Sequence, residues 1–402
     1  MKIFMLQSLY HPNVMGGAER VVQSLAESLA ERGHEVSVAS AAPGQGVKTQ
    51  KLNGVTVHYL GVPQSLWPYE PDRNPKHVKL VWKTLDALNV GMVRGLDRLL
   101  DRERPDVVHS HNLPGFSAAA WHSVKARGLP LIHSVHDYGL LCARSSMFKS
   151  MKNCAGQCAT CRLFSYSTRR SSVLVDAVVT ATRFVLERHL RYGFFTDTPQ
   201  REVIFYGYDR RGQPPARSPE PNSPLRLGYL GRLQPTKGVD WLLRALSDMP
   251  FEAWEIWLAG TGDAPYVDEL KRRFASPRVH FLGFIPPQEL FARVDLLLVP
   301  SLWHEPFGRI IIEAYAHGVP VIAADRGGIT EIVDHGQTGF LIDPNSPHTL
   351  WTAIRSLSED RQLAARMRLN ALEKAKRFSM RKMVDSYVAL YQRARGVSSH
   401  HR

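Results

Sequence analysis

The chain has 402 residues, too many for one ordinary hydrophobic core, and we expect two domains of roughly 150 to 200 residues each. Hydrophobic residues make up 44% of it, and no apolar run reaches the roughly 18 residues that a membrane-spanning helix needs. The net charge of +14 favours an anionic partner: nucleic acid, anionic lipid or a phosphorylated substrate. Because zinc-finger, RNA-recognition and homeodomain signatures are absent, a membrane or phospholipid-linked partner is favoured over nucleic acid.

Runs rich in β-branched residues alternate with helix-length segments such as 18–32 and 77–104. The first run, residues 2–8, is too short for the apolar core of a secretory signal, so it predicts a strand and a cytosolic protein. The alternation is typical of a parallel sheet with helices on both faces, which predicts an α/β fold. The strands predicted in this half are 2–8, 35–40, 55–60, 106–111, 130–136, 177–182 and 201–206.

A proline-rich segment interrupts this pattern. Residues 212–224 contain five prolines in thirteen residues, which neither a helix nor a sheet tolerates. We therefore predict an N-terminal domain over 1–210, a linker over 211–224 and a C-terminal domain over 225–380, with 381–402 forming a helix and tail that cross back to the first domain. The strands predicted in the second domain are 225–230, 254–259, 279–284, 296–300, 321–324 and 340–342.

Motif-like residues follow the first strand of each domain. Gly16 and Gly17 precede a predicted helix, where paired glycines permit close approach of a ligand and the helix N-terminus attracts an anion. A plain strand-to-helix turn explains them equally well. Arg232 and Lys237 occupy the corresponding loop of the second domain, where two cations suit a pyrophosphate, solvated surface cations being the alternative. No Walker loop or G-x-G-x-x-G fingerprint is present, which argues against an ATPase or a dehydrogenase.

The most specific segment, residues 303–314, follows the buried strand 296–300. Pro306 is suited to begin a helix and to leave the next backbone N–H groups free for phosphate. Glu305 precedes this helix and Glu313 lies about two turns along it, a separation of roughly 12 Å. That spacing suits one carboxylate on a sugar and the other on a ribose. A helix cap and a surface glutamate are the alternative.

Two histidines, His109 and His111, alternate after another predicted strand and therefore share one of its faces. A satisfied pair that lines a cleft is favoured over a metal-binding pair. The sequence has no Asp-x-Asp pair, a motif that binds a metal–diphosphate, so we expect a metal-independent reaction with no cofactor required for catalysis.

Four cysteines fall within twenty residues of a loop spanning 142–168. Disulfides are rare in cytosolic proteins, so four clustered thiols predict a structural zinc site, with an iron–sulfur site or unliganded thiols as alternatives. A metal would hold this loop together beside an acceptor cleft. The predicted zinc ligands are Cys142, Cys154, Cys158 and Cys161.

Cations and aromatic or apolar groups mix in residues 162–170 of the same loop and in an earlier segment. This composition suits an anionic membrane surface, and a solvated helix face with its loop is the equal alternative. The residues of the earlier segment are Lys76, Lys79, Trp82 and Lys83.

The motifs, taken in chain order, resemble those of the retaining GT-B glycosyltransferases of family 4. The matching residues are Gly16–Glu19, the loop Gly231–Gly238, the Glu305 and Glu313 pair, and the closing segment Gly327–Gly339. The resemblance spans nearly the whole chain. It implies two Rossmann-like, doubly wound domains that face each other across a deep cleft.

The resemblance also implies a nucleotide-diphosphate sugar bound mainly by the second domain. Arg232 and Lys237 would hold the diphosphate, Glu313 the ribose and Glu305 the sugar, while His136 matches the histidine of the first domain. The implied catalytic residues are His136, Glu305, Arg232 and Lys237. The implied donor-binding residues are Gly16, Gly17, Arg232, Lys237, Glu305, Phe307, Gly308 and Glu313.

Together these observations predict transfer of a hexose, with retention, to a surface glycan or a polyprenyl-linked precursor at the cytosolic membrane face of a bacterium. The scheme implied by the family is front-face attack, in which cations neutralise the leaving diphosphate and no enzyme nucleophile takes part. A sucrose- or trehalose-type enzyme with a soluble acceptor is the nearest alternative. A non-catalytic binding partner and a nucleic-acid-binding protein are the others.

Overall fold

The computed structural model describes residues 1–13, 16–62, 90–210 and 223–399, and the chain forms two compact units. The first unit draws on Met1–Ser145 and Gln157–Phe205, and it includes the C-terminal segment from Met380. The second unit draws on Tyr206–Ser379, and it includes the short segment Ser146–Gly156. The sequence analysis placed that short segment in the N-terminal domain, and the packing places it with the second unit.

The strands that precede the predicted linker form an eight-stranded sheet and a separate hairpin. Their bounds are β1 (Lys2–Gln7), β2 (Glu35–Pro43), β3 (Val47–Leu52), β4 (Val55–Val62), β5 (Val107–Ser110), β6 (Leu131–Val135), β7 (Phe148–Lys149), β8 (Lys152–Asn153), β9 (Ala177–Thr180) and β10 (Gln200–Val203). The sheet order is β10-β9-β6-β5-β1-β2-β4-β3, and all neighbours are parallel except β3 and β4.

The second unit is built on a six-stranded sheet in which every described pair is parallel. Its strands are β11 (Leu225–Leu230), β12 (Trp254–Ala259), β13 (Val279–Gly283), β14 (Leu296–Val299), β15 (Val321–Ala324) and β16 (Gly339–Ile342). The order β13-β12-β11-β14-β15-β16 is the 3-2-1-4-5-6 order of dinucleotide-binding domains. Because β11 and β14 are neighbours, the loops that leave their carboxyl ends meet at the switch point of the sheet, where such folds bind ligands.

Helices connect the strands in both units. Their bounds are α1 (Gly17–Glu31), α2 (Val90–Glu103), α3 (Ala119–Ala126), α4 (Ala159–Ser171), α5 (Arg183–Arg191), α6 (Val239–Ser247), α7 (Ala264–Arg273), α8 (Pro287–Phe291), α9 (Arg309–Ala316), α10 (Pro347–Glu359), α11 (Arg361–Ala375) and α12 (Met380–Ser399). Helix α1 illustrates why these segments are helical. Its buried residues Val21, Leu25 and Leu29 recur at helical spacing, while polar residues fill the opposite face.

The C-terminal helix α12 completes the first unit. Tyr387 and Tyr391 are buried one turn apart on it, and Asp385 makes an ion pair with Arg32 at the end of α1 at 2.5 Å. Among the residues that the structure describes, no helix is both long and apolar enough to cross a membrane. Lys76, Lys79, Trp82 and Lys83, the start of the helix predicted over 77–104 and residues 212–222 of the proline-rich segment lie outside the described residues.

Candidate functional site

In the second unit, the loop after β11 touches the loop after β14. Gly238 has a φ of 75°, and a Cβ there would lie 2.0 Å from the carbonyl oxygen of Pro300, so only glycine permits this approach. The Leu302 N–H donates to the Thr236 carbonyl oxygen at 2.9 Å. Lys237, between Thr236 and Gly238, is thereby brought to the segment that carries Glu305.

Lys237 and Glu305 form an ion pair at this junction. The Lys237 Nζ lies 2.5 Å from Glu305 Oε1, and the Ser301 hydroxyl donates to the same oxygen at 2.7 Å. Glu305 is only 7% exposed. Burial alone raises the pKa of Glu305, but the charge and hydrogen bond of Lys237, with the bond from Ser301, outweigh it and hold that pKa below its usual value. The carboxylate is therefore ionised at neutral pH.

The backbone of Glu305 is held by the segment that the sequence analysis named as a closing motif. The Gly328 N–H donates to the Glu305 carbonyl oxygen at 2.7 Å. Gly327 has a φ of 64°, and a Cβ there would lie 2.5 Å from the same oxygen. The paired glycines thus bring a 3-10 turn, Gly327–Glu331, against the candidate site.

The helix after Glu305 begins later than the sequence analysis expected. Pro306 was predicted to start it, but α9 begins at Arg309 because Gly308 adopts a left-handed conformation, with a φ of 92°. The Phe307 ring is buried, with its centroid 4.7 Å from that of Tyr206. Phe307 therefore anchors the loop in the core of the unit, and Gly308 caps the helix.

Glu313 lies within α9 and is 6% exposed. The Arg309 guanidinium, one turn earlier, lies 3.0 Å from Glu313 Oε1 and compensates the buried charge. Burial, together with the charge of Glu313, raises the pKa of Tyr208 to about 12, so this phenol stays protonated. Arg232 is exposed in the loop after β11, and its carbonyl oxygen accepts a bond from the Tyr229 hydroxyl at 2.9 Å. The second unit thus joins Lys237 to Glu305 and presents Arg232 in the same loop as Lys237.

The first unit contains a cavity of about 370 Å³ at the carboxyl ends of β1, β5 and β6. Its lining includes Glu19, His111, Asn112, His136 and Asp137. Gly16 caps α1 in an extended conformation, and Gly17 is the first residue of that helix, two residues before Glu19. The two glycines therefore open the helix whose first turn reaches the cavity.

Two buried histidines face each other in this cavity. His111 Nδ1 lies 3.0 Å from His136 Nε2, so one ring N–H donates to the other nitrogen. Burial lowers the pKa of His136 to about 4 and that of His111 well below its ordinary value, so both rings are neutral at pH 7. His111 Nε2 is buried and has no hydrogen-bond partner among the described residues. A buried polar atom of this kind indicates a ligand or water contact.

His109 plays a different part from His111, although the two lie only two residues apart at the carboxyl end of β5. Its ring nitrogens bond to the Tyr391 hydroxyl at 2.7 Å and to the Ser134 hydroxyl at 2.8 Å. His109 is therefore a satisfied core histidine that ties α12 to the sheet. The satisfied, cleft-lining pair favoured from the sequence is therefore split: His109 is satisfied in the core, and His111 lines the cavity with one nitrogen unpartnered among the described residues.

Asp137, which follows His136, was missed by the sequence analysis. Burial raises its pKa to about 6, opposed by a hydrogen bond from the Gly139 N–H at 2.6 Å and assisted by the charge of Glu19. Its position directly after β6, beside His136, was the available signal. Ser301, the third member of the Lys237 and Glu305 cluster, was also missed because nothing in its local sequence marks it.

The four cysteines divide between the two units. Cys142, Cys158 and Cys161 belong to the first and Cys154 to the second, and none is in a disulfide. The Cys161 thiol shares hydrogen bonds with those of Cys158 and Cys142, and burial raises the pKa of Cys161 to about 11. Within the described residues, no group of three or more His, Cys, Asp or Glu side chains has an arrangement that could hold a metal ion. The zinc site stays a prediction.

Helix α4 exposes part of the basic and aromatic segment that the sequence analysis singled out. Leu163 is 76% exposed and Tyr166 is 48% exposed, and the Arg170 guanidinium lies 5.1 Å from the centre of the Tyr166 ring. Arg169 lies 5.9 Å from the same ring. Apolar groups and cations therefore share one exposed stretch of this helix.

Comparisons with known proteins identify two family matches that together span most of the chain. The glycosyl transferase 4-like domain matches residues 16–207, and the glycosyl transferases group 1 family matches residues 211–374. An uncharacterized 42.6 kDa protein in the cps region of Klebsiella pneumoniae is 30% identical over 332 residues, which cover 83% of this chain and 87% of that protein.

Solved structures are similar over almost the full length. Sucrose-phosphate synthase from Thermosynechococcus elongatus superposes with a TM-score of 0.76 and 20% identity over 98% of both chains. HepE from Anabaena, in complex with UDP and glucose, superposes with a TM-score of 0.70 and 23% identity, covering 98% of this chain and 99% of that one.

Proposed function

The chain belongs to the group 1 glycosyl transferases of GT-B fold and is thus an enzyme of the transferase class, and we propose that it moves a hexose with retention from a nucleotide-diphosphate sugar to a surface glycan or its lipid-linked precursor. The observation that carries the proposal is the buried Lys237 and Glu305 pair at the switch point of the second sheet. The complexes of HepE with UDP and with UDP-glucose support a nucleotide-sugar donor.

On the donor side, the loop after β11 supplies two cations. The Lys237 ammonium and the Arg232 guanidinium would bind the diphosphate and neutralise the negative charge that grows as the nucleotide diphosphate leaves. Glu313, buried on α9 with Arg309 as its partner, is the candidate for the ribose hydroxyls. Its side chain is only 8% exposed, which suits a fixed hydrogen-bond acceptor.

Glu305 is poorly suited to attack the sugar. One of its carboxylate oxygens accepts bonds from both Lys237 and Ser301, and the buried side chain has little freedom to turn. It is better suited to accept hydrogen bonds from sugar hydroxyls. This supports front-face transfer: the acceptor oxygen bonds to the anomeric carbon, the bond to the diphosphate breaks on the same face, and the acceptor proton passes to a leaving phosphate oxygen.

On the acceptor side, the first-unit cavity supplies neutral hydrogen-bonding groups. Its volume of about 370 Å³ falls within the range of roughly 300–1,000 Å³ usual for small-molecule sites. His111 has an unpartnered buried nitrogen, and His136 and Asp137 line the same cavity. Because both histidines are neutral at pH 7, they can bond to sugar hydroxyls without introducing a buried charge.

Two observations bear on the acceptor class. The Klebsiella pneumoniae relative is named for a cps region, which agrees with a surface polysaccharide, and the exposed Leu163, Tyr166 and Arg170 of α4 suit an anionic membrane surface. A soluble sugar acceptor is the second candidate, because sucrose-phosphate synthase is among the structural neighbours. We propose that the lipid-linked acceptor is the physiological one, used at the cytosolic face of the membrane.

The test is transfer from an α-linked nucleotide sugar to matched acceptors, one lipid-linked and one soluble, with the product analysed by NMR. An α-linked product on the lipid-linked acceptor supports the proposal. A β-linked product contradicts retention. Transfer that is equally efficient on soluble glycans, with no gain from vesicles containing anionic lipid, contradicts the membrane part and favours the soluble acceptor.

A further inference from the structure

The segment Ser146–Gly156 belongs by packing to the second unit, although its flanking residues on both sides belong to the first. It forms the β7–β8 hairpin, in which Phe148 pairs with Asn153 and Lys149 with Lys152. This hairpin lies between cysteines that the sequence analysis placed together in one loop. A shared metal site of the cysteines does not explain why the hairpin packs with the second unit.

The hairpin segment is conformationally strained. Within the described residues, left-handed backbone conformations at non-glycine positions concentrate here, at φ values between 48° and 59°. The residues concerned are Met147, Ser150 and Met151 within the segment and Ser145 directly before it. Two-residue hairpin turns with positive φ at both positions ordinarily use asparagine or glycine, and Ser150 and Met151 are neither. Strain of this kind persists only where the surroundings hold the segment in place, and it concentrates at functional sites.

Asn153 provides that attachment. Its Nδ2 donates to the Leu302 carbonyl oxygen at 2.8 Å, and its Oδ1 accepts from the His304 N–H at 2.9 Å. Both ends of the amide are used, which fixes its orientation. The two bonds are made to the residues on either side of Trp303, whose ring lies 5.3 Å from Lys237 Nζ. The second of them, to His304, is made to the residue directly before Glu305.

The backbone of 302–304 needs such a partner. The chain has just left β14, so these peptide groups bond outside the sheet. The Leu302 N–H donates to Thr236 and the Leu302 carbonyl oxygen also accepts from the Arg326 guanidinium, whereas the His304 N–H donates to Asn153. An asparagine side chain carries a donor and an acceptor side by side, as a neighbouring peptide group does. Asn153 therefore supplies, to the loop that presents Glu305, hydrogen bonds of the kind that a neighbouring strand would supply.

We propose that the hairpin Ser146–Gly156 is part of the donor site, and that Asn153 is a positioning residue that sets the 302–304 backbone and, through it, the Glu305 carboxylate. The proposal rests on the assignment of the second unit as the nucleotide-sugar site. Asn153 touches the loop that holds Glu305, and it acts through that loop. Its loss therefore weakens donor binding and leaves acceptor binding unchanged.

The experiment compares Asn153→Ala and Asn153→Asp with Gln157→Ala. Gln157 is the matched control because its amide bonds to the Leu141 carbonyl oxygen at 2.8 Å and to the Ser165 hydroxyl at 3.2 Å, all within the first unit. We expect Asn153→Ala to raise the donor KM about tenfold with the acceptor KM unchanged, because the His304 N–H is left without its partner. Asn153→Asp keeps the bond from the His304 N–H but places a carboxylate oxygen against the Leu302 carbonyl oxygen, so the donor KM should rise in this variant too.

A double-mutant cycle with Glu305→Gln separates positioning from general destabilisation. If Asn153 acts through Glu305, the donor KM changes of the two substitutions are not multiplicative. The melting temperature is measured for each variant, and the near-isosteric Asn153→Asp serves if the alanine variant does not fold. An unchanged donor KM in both Asn153 variants, an equal rise in Gln157→Ala, or multiplicative effects would each overturn the proposal.

The parent enzyme supplies the remaining control. If the parent binds UDP-, GDP- or ADP-sugars and the Asn153 variants bind them as tightly, this inference alone is wrong. If the parent binds none of these donors, the assigned donor site fails and the inference fails with it. The two failures are thus distinguishable from the parent titration.

Discussion

Removing the Lys237 cation by Lys237→Met should destabilise the second unit in a pH-dependent way. The substitution keeps the length of the side chain and deletes the ammonium that lies 2.5 Å from Glu305 Oε1. The Glu305 carboxylate stays buried and keeps its hydrogen bonds with the Ser301 hydroxyl and the Trp303 side chain, neither of which carries a positive charge. A buried carboxylate that loses its cation is costly, since its desolvation is no longer offset.

The magnitude follows from how deeply the pair is buried. Breaking a fully buried pair costs about 3–5 kcal/mol. The Lys237 side chain is 27% exposed and that of Glu305 is 9% exposed, so water replaces part of the lost interaction. We expect a loss of about 2 kcal/mol at pH 7.5, which corresponds to a Tm decrease of roughly 4–8 °C for a unit of this size.

The pH dependence has a definite sign. In the parent, the pKa of Glu305 lies below its unfolded value, so its stabilisation is present above that value and is lost as pH falls through the folded pKa. In Lys237→Met the burial remains and the cation is gone, so the folded pKa rises above the unfolded one. The stability deficit of the variant is then full at pH 7.5 and shrinks as pH falls toward the raised pKa.

The assay is thermal and chemical denaturation of both proteins at pH 7.5, 6.5 and 5.5. The matched control is Arg244→Met, which removes the cation of a more exposed pair with Asp240 in the same unit. The control should change stability by less than about 1 kcal/mol, with no pH dependence. Two results would refute the claim that Lys237 offsets the buried charge of Glu305. One is a Lys237→Met variant as stable as the parent at pH 7.5, and the other is a loss of stability, relative to the parent, that grows as the pH falls.

Three further predictions follow from the packing. Gly238→Ala should destabilise the second unit by at least about 2 kcal/mol in urea denaturation, because its methyl group would lie 2.0 Å from the Pro300 carbonyl oxygen, and unchanged stability would contradict the loop geometry. Tyr391→Phe leaves a buried nitrogen of His109 without its 2.7 Å partner and should cost the first unit about 1–3 kcal/mol, whereas a neutral effect would mean that His109 is not satisfied by this bond. Elemental analysis of the purified protein should find one zinc per chain if the cysteines bind it as the sequence predicts, and four titratable thiols without metal would contradict that prediction.

Much of the fold could be predicted because its strands are apolar and its alternation is regular. The continuous apolar strand β14, with all of its residues buried, was recognisable from its composition alone, and the predicted α/β class and GT-B fold are confirmed. Strand β3 was missed because Val47–Leu52 forms an exposed edge with no buried face, so it lacks the alternation that marks a strand. Two-residue strands such as β7 and β8 leave no pattern to detect.

The residues of the candidate site were easier to predict than their partners. Lys237 and Glu305 were named from the sequence, yet their direct pairing depends on the meeting of two loops separated by 68 residues. The start of α9 was misplaced because a proline typical of a first turn precedes a glycine that takes the left-handed conformation. Asn153 was not named at all, since its bonds to Leu302 and His304 depend on packing between segments about 150 residues apart.

A thermal-shift panel of UDP-, GDP- and ADP-sugars on the parent and on Glu313→Ala tests directly whether the second unit binds the donor. A ligand that binds only the native state raises its stability. We expect one nucleotide class to raise the Tm of the parent and to raise that of Glu313→Ala much less, because the buried carboxylate on α9 is lost. If no nucleotide sugar shifted the parent, or if the variant responded as fully as the parent, the second unit would not be the donor site described here.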